Sequence, residues 1–285
     1  MTDTFVACII TYNPNLNRLI ENIDSICPQV SRVIIVDNGS DNFEELSGRL
    51  LHYKSVILHA SKVNRGIARA LNKGFSIAEG EHATWVLTLD QDSVCPPYMI
   101  SNYKNYLAKL HKHTPAEKVS RIGILCPTIV DRNIGVIAAE ESHTGPVKKC
   151  ITSGALTSYS AWKAIGGFDE KMFIDGVDFE FCERLIQHNY YIIRVADIAL
   201  LHELGQMTTK RILCKTIQVK NHPAFRKYYI VRNRLYVARK HKKPFSVTRA
   251  YMSAIKTAFI VLFFEDHKKE KLSAIRKGIA DSRNM

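Results

Sequence analysis

Residues 83–93, ATWVLTLDQDS, place two acidic residues directly after an apolar run. Residues 83–89 have the composition of a buried strand, and Asp90 and Asp92 follow where that strand ends. In extended backbone, residues i and i+2 point to the same side, so both carboxylates are expected to face one cation. Carboxylate oxygens with spare water positions suit Mg²⁺ or Mn²⁺ holding a phosphate group. The alternative is a solvated loop that caps a helix starting near Pro96.

Three similar apolar runs precede this segment, and each is followed by a helical pattern. The runs are residues 5–10, 33–36 and 56–59, and the helical patterns are residues 16–26, 43–51 and 67–78. Strands that are apolar throughout and alternate with helices predict an α/β fold with a mostly parallel sheet covered on both faces. In such sheets, ligands bind beyond the carboxyl ends of the strands. The polar residues at these ends are Thr11, Tyr12 and Asn13, then Asp37, Asn38 and Gly39, then Asn64, Arg65 and Gly66, and finally Asp90, Gln91 and Asp92.

The remainder of the chain is less regular and then turns helical. Predicted strands are residues 122–126, 129–139 (a strand or hairpin), 151–159 and 190–195, with a helix at 178–188. A basic helical pattern starts near residue 222, followed by an apolar helix at 246–264 and a basic amphipathic helix at about 267–280.

Charge separates the two parts of the sequence. Residues 1–202 contain 20 Lys/Arg and 22 Asp/Glu, whereas residues 203–285 contain 20 Lys/Arg and 5 Asp/Glu, a net charge of +15. Such a basic segment requires an anionic partner or a solvated surface, and the candidates are nucleic acid, an acidic membrane leaflet and water. The overall composition, 46% hydrophobic and 24% charged, is that of a globular protein and excludes disordered and fibrous classes.

The cysteines and the apolar segments predict a cytoplasmic protein with attachment to a membrane surface. The seven cysteines are odd in number and form no CxxC pair, so neither a zinc ribbon nor a disulfide framework is indicated. Residues 1–4 carry no basic region of a signal peptide. The longest unbroken apolar run, residues 257–264, is too short to span a bilayer.

Other acidic and imidazole side chains are candidates for chemistry. Asp175, Asp178 and Glu180 precede or begin a predicted helix, where one of them either caps the helix or acts as a general base. Asp37, in DNGS, either forms an Asx turn or accepts a hydrogen bond from a base or ribose. His202 follows an apolar run and is either a rim residue or another ligand for the cation at Asp92. The sequence has no GxGxxG after its first strand and no P-loop, which argues against dinucleotide cofactors and P-loop hydrolases.

Seven ordered motifs of the sequence resemble one known family. They are VACIITYN (6–13), IVDNGS (35–40), NRGIARALNKG (64–74), LDQDS (89–93), FIDGVDFEFC (173–182), HELG (202–205) and YYIVRNR (228–234). The first four are similar to the family 2 inverting glycosyltransferases of the GT-A fold, and the last three to the bacterial rhamnosyltransferase branch. The resemblance implies a GT-A catalytic domain at residues 1–221 and a basic helical C-terminal region at 222–285. Within the catalytic domain it implies a nucleotide-sugar half at about 1–95 and an acceptor half at about 96–221.

The resemblance also implies roles for individual residues. Binding of the nucleotide-sugar donor falls to Thr11, Tyr12, Asn13, Asp37, Asn38, Asn64, Arg65, Gly66, Asn72, Asp90 and Gln91. Binding of Mg²⁺ or Mn²⁺ falls to Asp90, Asp92 and His202, and the general base is Asp178, with Asp175 and Glu180 as rivals. This sequence has Val177 where the family usually has a Glu before its base. Arg226, Arg232 and Arg234 are candidates to contact diphosphate or acceptor, since guanidinium groups bind phosphate bidentately.

The implied reaction is one in-line displacement, in which an acceptor hydroxyl attacks the anomeric carbon and the nucleoside diphosphate leaves. The expected donor is dTDP-rhamnose, and the expected acceptor is a glycan on polyprenyl diphosphate in cell-surface polysaccharide or O-antigen synthesis. The basic C-terminal region is expected to hold the protein at the cytoplasmic face of the inner membrane. Residues 257–264 are equally compatible with a packed helix, a contact between copies of the chain, or a membrane contact.

Three alternatives remain at this point. One is a transferase of the same fold that uses a UDP-sugar, such as a galactofuranose donor. Another is a non-enzymatic protein that binds anionic surfaces through the basic C-terminal region, although no nucleic-acid motif is present. The third is a catalytically inactive scaffold, against which the acids Asp90, Asp92 and Asp178 argue.

Overall fold

The computed structural model describes residues 3–131, 135–136, 143–202, 208–212, 215–219, 221–241 and 245–285. For residues 131, 135–136, 202, 208–212 and 215–219 it describes the backbone alone. By compactness the chain divides into a first unit, Met1–Glu170 with Asp178–Glu203, and a second unit, Lys171–Val177 with Leu204–Met285. The division by compactness also groups residues 171–177 and 204–221 with the C-terminal helices. The predicted domain boundary after residue 221 stays a prediction.

The first unit is built on one mixed sheet whose order is β3-β2-β1-β4-β8-β5-β9-β7, with β6 paired to β5. Its strands are β1 (Phe5–Thr11), β2 (Arg32–Asp37), β3 (Val56–Ala60), β4 (Trp85–Asp90), β5 (Ile122–Asp131), β6 (Gly135–Val136), β7 (Gly145–Pro146), β8 (Ala155–Ser158) and β9 (Tyr191–His202). Its helices are α1 (Leu16–Ile26), α2 (Phe43–Leu50), α3 (Ile67–Gly80), α4 (Met99–His113), α5 (Ala116–Val119), α6 (Tyr159–Ala164) and α7 (Val177–Gln187), whose first residue belongs to the second unit.

The first four strands are parallel, as the sequence predicts. β1 lies between β2 and β4, and β3 pairs with β2 on the outside. Five of the six β2 residues and five of the six β4 residues are buried, because helices cover both faces of the sheet. The predicted α/β class with a mostly parallel sheet is confirmed.

The second half of the sheet contains both parallel and antiparallel strand pairs. β8 is antiparallel to both β4 and β5, and β9 runs parallel to β5. The predicted strand at 151–159 shortens to β8, because a turn precedes it in which Gly154 has a φ of +77° and donates its N–H to the Thr88 carbonyl oxygen at 2.7 Å. The predicted strand at 190–195 instead extends to His202, because β5 continues to pair with it up to Asp131.

The second unit contains an antiparallel strand pair and three long helices. Its elements are β10 (Thr208–Ile212), β11 (Lys215–Val219), α8 (Ala224–His241), α9 (Val247–Phe264) and α10 (Lys268–Asp281). The three helices lie within two residues of their predicted bounds, while the strand pair was not predicted. A small apolar core joins the helices through Val231 and Leu235 of α8, Ala250 and Val261 of α9, and Ile275 of α10.

Candidate active site

The polar ends of the parallel strands meet at one edge of the sheet, as predicted. Thr11 of β1 lies opposite Asp37 of β2, and Ile10 of β1 lies opposite Asp90 of β4. The loop that precedes α3 reaches the same edge, where its Asn64 side chain bonds to Asn38 after β2. The first unit therefore brings residues from four chain segments together beyond the strand ends, where ligands of parallel sheets bind.

Asp37 organises the loop after β2. Its Oδ1 accepts hydrogen bonds from the Thr11 hydroxyl, at 3.0 Å, and from the Ser40 hydroxyl, while its Oδ2 accepts from the backbone N–H groups of Gly39 and Ser40 at 3.1 and 2.9 Å. The residue is only 1% exposed. The Asx turn is thus formed, and all four strong acceptor positions of the carboxylate are in use. A base or ribose contact at Asp37, which stays a prediction, would need one of these bonds to open.

Asn38 and Asn64 join the second and third loops. The Asn38 amide donates to Asn64 Oδ1 at 2.9 Å, and its Oδ1 accepts from the Arg65 N–H at 3.0 Å. Gly39 must be glycine here, because its φ is +84° and a Cβ would lie 2.8 Å from the Asn64 nitrogen. Gly66 also has a positive φ, of +89°, at the start of α3. The Arg65 side chain is left exposed beside these fixed backbones.

The loop after β1 is tied to its neighbours through its backbone. The Tyr12 N–H donates to Gln91 Oε1 at 2.9 Å, and the Asn13 N–H donates to the Ser40 hydroxyl at 2.8 Å. Asn13 adopts the left-handed region that asparagine tolerates, with a φ of +45°. The Tyr12 ring is 48% exposed and available to stack on a planar ligand. Gln91 therefore positions the loop, a role that the prediction of direct donor binding did not include.

Asp90 is the last residue of β4, whereas Asp92 lies in the turn that follows. The premise of extended backbone across both acids is therefore wrong. The Asp90 carbonyl oxygen accepts from the Asn22 amide at 2.7 Å and from the Ser93 N–H at 3.2 Å, which fixes the turn. Asp92 is half-buried, and no described residue donates a hydrogen bond to its carboxylate.

These two carboxylates fit Mg²⁺ or Mn²⁺, which protein sites commonly bind through one or two carboxylates plus substrate phosphates. Among the described residues, no group of three or more His, Cys, Asp or Glu side chains surrounds a metal position. A third protein ligand would have to come from the part of the chain whose side chains are not described. His202 belongs to that part.

The backbone brings the end of β9 beside the loop that contains Asp92. Val94 and Leu201 form an isolated antiparallel bridge, and they lie two residues after Asp92 and one residue before His202. The side chain of His202, and residues 203–205 of the HELG motif, lie outside the described residues. The role of His202 as a metal ligand stays a prediction that this backbone placement supports.

Asn72 holds a different segment from the one predicted. Its Oδ1 accepts from the Phe168 N–H at 2.7 Å and from the Trp162 indole at 3.2 Å. Its amide donates to the Phe168 carbonyl oxygen at 2.9 Å and to the Glu170 carboxylate at 3.1 Å. Since the whole amide is used by residues 162–170, Asn72 fastens α3 to that segment. Its contact with the nucleotide stays a prediction, and it would require one of these hydrogen bonds to open.

Helix α7 carries Asp178 in its first turn and is anchored by a buried ion pair. Glu180 is fully buried and pairs with Arg184, whose Nε lies 2.9 Å from Glu180 Oε1. The Arg184 guanidinium also donates to the carbonyl oxygens of Ile165 and Gly167 at 2.8 and 2.6 Å. This pairing gives Glu180 a structural role and argues against it as the base. Asp178 is half-buried, and its Oδ1 accepts from the Phe179 N–H at 2.9 Å.

Asp175 belongs to the second unit and forms an ion pair there with Arg226. Arg226 Nη2 lies 2.7 Å from Asp175 Oδ1, and its Nε lies 3.2 Å from Oδ2. The Asp175 carboxylate raises the pKa of the Arg226 guanidinium above its ordinary value, chiefly through this hydrogen bond. Arg226 occupies both oxygens of the Asp175 carboxylate, so the pairing argues against Asp175 as the base. It also means that Arg226 would exchange Asp175 for phosphate in its predicted role.

Asn233 of α8 is a residue that the sequence analysis missed. It is 1% exposed, and its amide donates to the carbonyl oxygens of Ile174 and Asp175 at 2.7 and 2.9 Å. Its Oδ1 accepts from Arg232, which also donates to the Lys171 carbonyl oxygen at 2.9 Å. The signal was an asparagine, a poor helix former, in a helical pattern between two arginines.

Arg232 and Arg234 also have partners within the second unit. The Arg232 guanidinium lies 4.6 Å from the centroid of the Tyr229 ring, and Arg234 bonds to the Ser253 hydroxyl. Arg232 therefore helps to hold residues 171–177, the segment that leads directly into Asp178 in the chain. Contacts of these arginines with diphosphate or acceptor stay predictions.

Buried thiols are consistent with chemistry that uses no cysteine. Burial raises the pKa of Cys8 to about 12, and burial raises the pKa of Cys95 to about 12 as well. Both thiols stay protonated at neutral pH and lack the thiolate that acts as a nucleophile. Among the described residues, six cysteines are free, as the spacing predicts.

Comparison with known proteins identifies the family. The model of the family described as Glycosyl transferase family 2 matches residues 6–114. The chain is 30% identical to the dTDP-rhamnosyl transferase RfbF of Shigella flexneri, over 98% of this chain and 94% of that protein. It is 29% identical to poly-beta-1,6-N-acetyl-D-glucosamine synthase of Staphylococcus aureus, over only 36% of this chain and 25% of that protein. The chain belongs to glycosyl transferase family 2.

Solved structures agree with this fold. S. aureus TarS 1–349 aligns with a TM-score of 0.61 at 14% identity, over 98% of this chain and 81% of that one. GalNAc-T7, solved with UDP, GalNAc and Mn²⁺, aligns with a TM-score of 0.63 at 13% identity, over 98% of this chain and 54% of that one. At such identities the likeness concerns the fold. The predicted GT-A fold with a helical C-terminal region is confirmed, and the chain is a glycosyltransferase.

Proposed function

We propose that this glycosyltransferase is inverting and metal-dependent, and that it transfers L-rhamnose from dTDP-rhamnose to a hydroxyl of a glycan. The observation that carries the proposal is the similarity to a dTDP-rhamnosyl transferase along 98% of the chain. A relative that matches 98% of the chain supports a shared donor more strongly than one that matches only 36% of it. The strand ends support the same reading, since polar residues from four chain segments meet at the edge where parallel sheets bind ligands.

In the proposed mechanism the strand-end loops bind the donor. Tyr12 stacks against the base, and the exposed Arg65 neutralises diphosphate charge. Asp90, Asp92 and His202 would hold Mg²⁺ or Mn²⁺, which when bound supplies positive charge for the leaving diphosphate. Asp37, Asn38 and Asn64 hold the loops through their hydrogen bonds, and in the proposal they also face the nucleotide.

Asp178 is the proposed general base. It accepts the proton of the acceptor hydroxyl as that oxygen attacks the anomeric carbon from the face opposite the diphosphate, which inverts the configuration in one step. Such a base typically contributes about 10²–10⁴-fold to the rate. Of the three acids considered, Glu180 is committed to Arg184 and Asp175 to Arg226, and Asp178 lies in the first turn of α7 at the position that the family motif assigns to the base.

The proposed acceptor is a glycan on polyprenyl diphosphate, used in cell-surface polysaccharide or O-antigen synthesis. A lipid-linked acceptor requires the enzyme to work at a membrane, so the proposed location is the cytoplasmic face of the inner membrane. The net charge of +15 over residues 203–285 supports attraction to an anionic leaflet.

The decisive experiment is thermal unfolding with dTDP, UDP, GDP and CDP, each with and without Mn²⁺. A ligand at one hundred times its Kd stabilises a fold by about 2.7 kcal/mol, which gives a clear increase in Tm. We expect a Mn²⁺-dependent increase with dTDP, and rhamnosyl transfer with dTDP-rhamnose in an assay that follows release of dTDP.

Asp92→Ala tests the metal site within the same experiment. We expect the variant to keep its Tm without ligand and to lose the Mn²⁺-dependent increase. Glu44→Ala, which removes an exposed carboxylate in the first turn of α2, is the matched control and should retain the increase. A Mn²⁺-dependent response to UDP alone would keep the mechanism but replace the donor, and the absence of a response to any nucleotide would contradict the proposal.

A further inference from the structure

One face of α9 exposes large apolar side chains to solvent. Its members are Met252, Ile255, Phe259, Leu262 and Phe263, with exposed fractions of 47–69%, and they are called the α9 stripe below. Their spacing of three and four residues places them on the same side of the helix. Contiguous exposed apolar surface of this kind marks an interaction site far more often than isolated apolar residues do.

The opposite face of α9 belongs to the core of the second unit. Ala250, Ala254 and Val261 are buried there, together with residues of α8 and α10. The residues of the α9 stripe therefore do not contribute to the core that these helices form. A helix that uses one apolar face for its own core and exposes a second apolar face is suited to a partner that is itself apolar.

The length and packing of α9 favour contact along a membrane surface over a helix that crosses the membrane. Among the described residues, α9 is the one helix long and apolar enough to cross a membrane, which the eight-residue apolar run alone did not predict. Its 18 residues span about 27 Å at about 1.5 Å per residue, slightly less than a hydrocarbon core of about 30 Å. Crossing would also require α9 to leave its packing against α8 and α10. If α9 instead lies parallel to the membrane and inserts one face, it does not have to span the hydrocarbon core, and it keeps its packing against α8 and α10.

Charged side chains flank the α9 stripe on one side. Arg249 and Lys256 are exposed and lie seven residues apart, so they occupy the same edge of the helix. Lys268 and Lys269, at the start of α10, are exposed as well. Cations beside an apolar face match an anionic phospholipid surface, where each Lys or Arg contributes about 1 kcal/mol.

The same charges disfavour the other occupants. A second copy of the chain would bring two regions of net charge +15 together, which costs Coulomb energy. Nucleic acid would satisfy the cations but would leave the phenylalanines in water. The membrane surface is the partner that accommodates both features.

We propose that the α9 stripe docks the second unit flat on an anionic phospholipid surface. Phe259 and Phe263 enter the boundary between headgroups and acyl chains, and Arg249 and Lys256 contact lipid phosphates. The proposal deepens the membrane location given under the proposed function, and it does not depend on which donor the enzyme uses.

Flotation of the full-length protein with lipid vesicles tests the proposal. Vesicles of phosphatidylethanolamine and phosphatidylglycerol are compared with vesicles of phosphatidylcholine alone. We expect binding to the anionic vesicles, with a decrease of at least about tenfold in the partition coefficient for the Phe259→Ser/Phe263→Ser variant. Arg249→Gln/Lys256→Gln should weaken binding to the anionic vesicles about tenfold, and the binding that remains should depend less on salt concentration.

Tyr98→Ser is the matched control, because Tyr98 is 71% exposed in the first unit and far in sequence from α9. It should bind vesicles like the wild-type chain. All variants are compared by Tm, so that loss of binding is separated from loss of folding. Transfer to a water-soluble acceptor should be unchanged in the Phe259→Ser/Phe263→Ser variant.

Two results would overturn the proposal. One is vesicle binding that is absent in the wild-type chain or equal in wild type and the phenylalanine variant. The other is a dimer in analytical ultracentrifugation that the phenylalanine variant abolishes, which would assign the stripe to a second copy. Failure of rhamnosyl transfer would leave the flotation result unaffected, so the two proposals fail separately.

Discussion

The strand-end edge of the first unit and the helices of the second unit treat polar groups in different ways. At the strand ends, buried side chains such as Asp37 and Asn38 bond to loop backbone, while Tyr12 and Arg65 remain exposed. In the second unit, Lys227 and Lys271 are buried against Glu265, and one exposed face of α9 is apolar. The first arrangement presents polar groups to a small ligand, and the second presents an apolar face to an extended partner.

This difference shows that charge content alone does not locate function. The strongly basic region has several of its cations committed to internal partners, as in the pair between Arg226 and Asp175. The nearly neutral first unit leaves acids and amides at the edge where a ligand would bind. Substitutions at the proposed general base Asp178, at the buried residues Asp37 and Asn233, and at His59 of β3 test this difference between the two units.

The largest expected effect is on catalysis. Asp178→Asn should lower kcat by about 10²–10⁴-fold, because an amide cannot accept the acceptor proton. Donor binding should persist, since the proposed donor contacts lie at the strand-end loops of the first unit. The measurement is steady-state transfer together with the Mn²⁺-dependent increase in Tm.

Two variants on the same helix serve as controls for Asp178→Asn. Glu183→Gln removes a carboxylate from α7 that is bonded to Gln187 and should leave kcat within twofold or so of the wild type. Glu180→Gln should instead destabilise the fold by about 3–5 kcal/mol, because Arg184 loses its buried partner. Wild-type turnover by Asp178→Asn would remove Asp178 from the role of base.

At the strand-end edge, Asp37→Ala should reduce the free energy of unfolding by about 2–3 kcal/mol. The change leaves the Thr11 hydroxyl and two backbone N–H groups without their acceptor. The loop would lose its shape, so nucleotide-dependent stabilisation should fall as well. Urea unfolding measures the first effect and thermal unfolding the second.

Glu44→Ala is the control for this change, because Glu44 is exposed at the start of α2 and should shift stability by no more than about 0.5 kcal/mol. Loss of nucleotide response without loss of stability in Asp37→Ala would indicate that Asp37 contacts the nucleotide directly. That outcome would favour the base or ribose contact over the Asx turn.

In the second unit, Asn233→Ala should cost about 1–3 kcal/mol of stability, because two carbonyl oxygens and Arg232 lose a buried partner. The segment that it holds leads directly into Asp178, so kcat should fall several-fold while KM for the donor stays unchanged. Kinetics at temperatures well below Tm separate this positioning effect from unfolding.

Asn105→Ala, an equivalent substitution at an exposed position of α4, should leave both stability and kcat close to wild type. An unchanged kcat in a folded Asn233→Ala variant would limit Asn233 to a structural role.

The smallest effect concerns acid. Burial in β3, with a further contribution from Lys73, lowers the pKa of His59 from its ordinary value of 6.5. Between the lowered pKa and 6.5 the unfolded chain binds more protons than the folded chain, so stability decreases as pH falls below 6.5 and is unaffected above it. His59→Gln should reduce the pH dependence of Tm between pH 6.5 and 5. An unchanged slope would show that other groups dominate the acid response.

Much of the fold was predictable because the decisive features are local. Apolar runs, helical spacing and turn residues can each be read from short stretches of sequence. For this reason β1–β4 and the three C-terminal helices lie near their predicted bounds. The adjacency of Thr11, Asp37 and Asp90 also followed from sequence, since parallel strands end at one edge of a sheet. The family was predictable for the same reason, as its motifs are contiguous.

Long-range pairing decided the rest. Sequence could not tell that Asn72 would be used by Phe168, or that Glu180 would be buried against Arg184 and two loop carbonyls, because those partners come together only in the folded chain. It predicted α9 as an apolar helix but not which of its faces would be buried. That choice depends on the packing of α8 and α10, and it leaves Phe259 and Phe263 exposed.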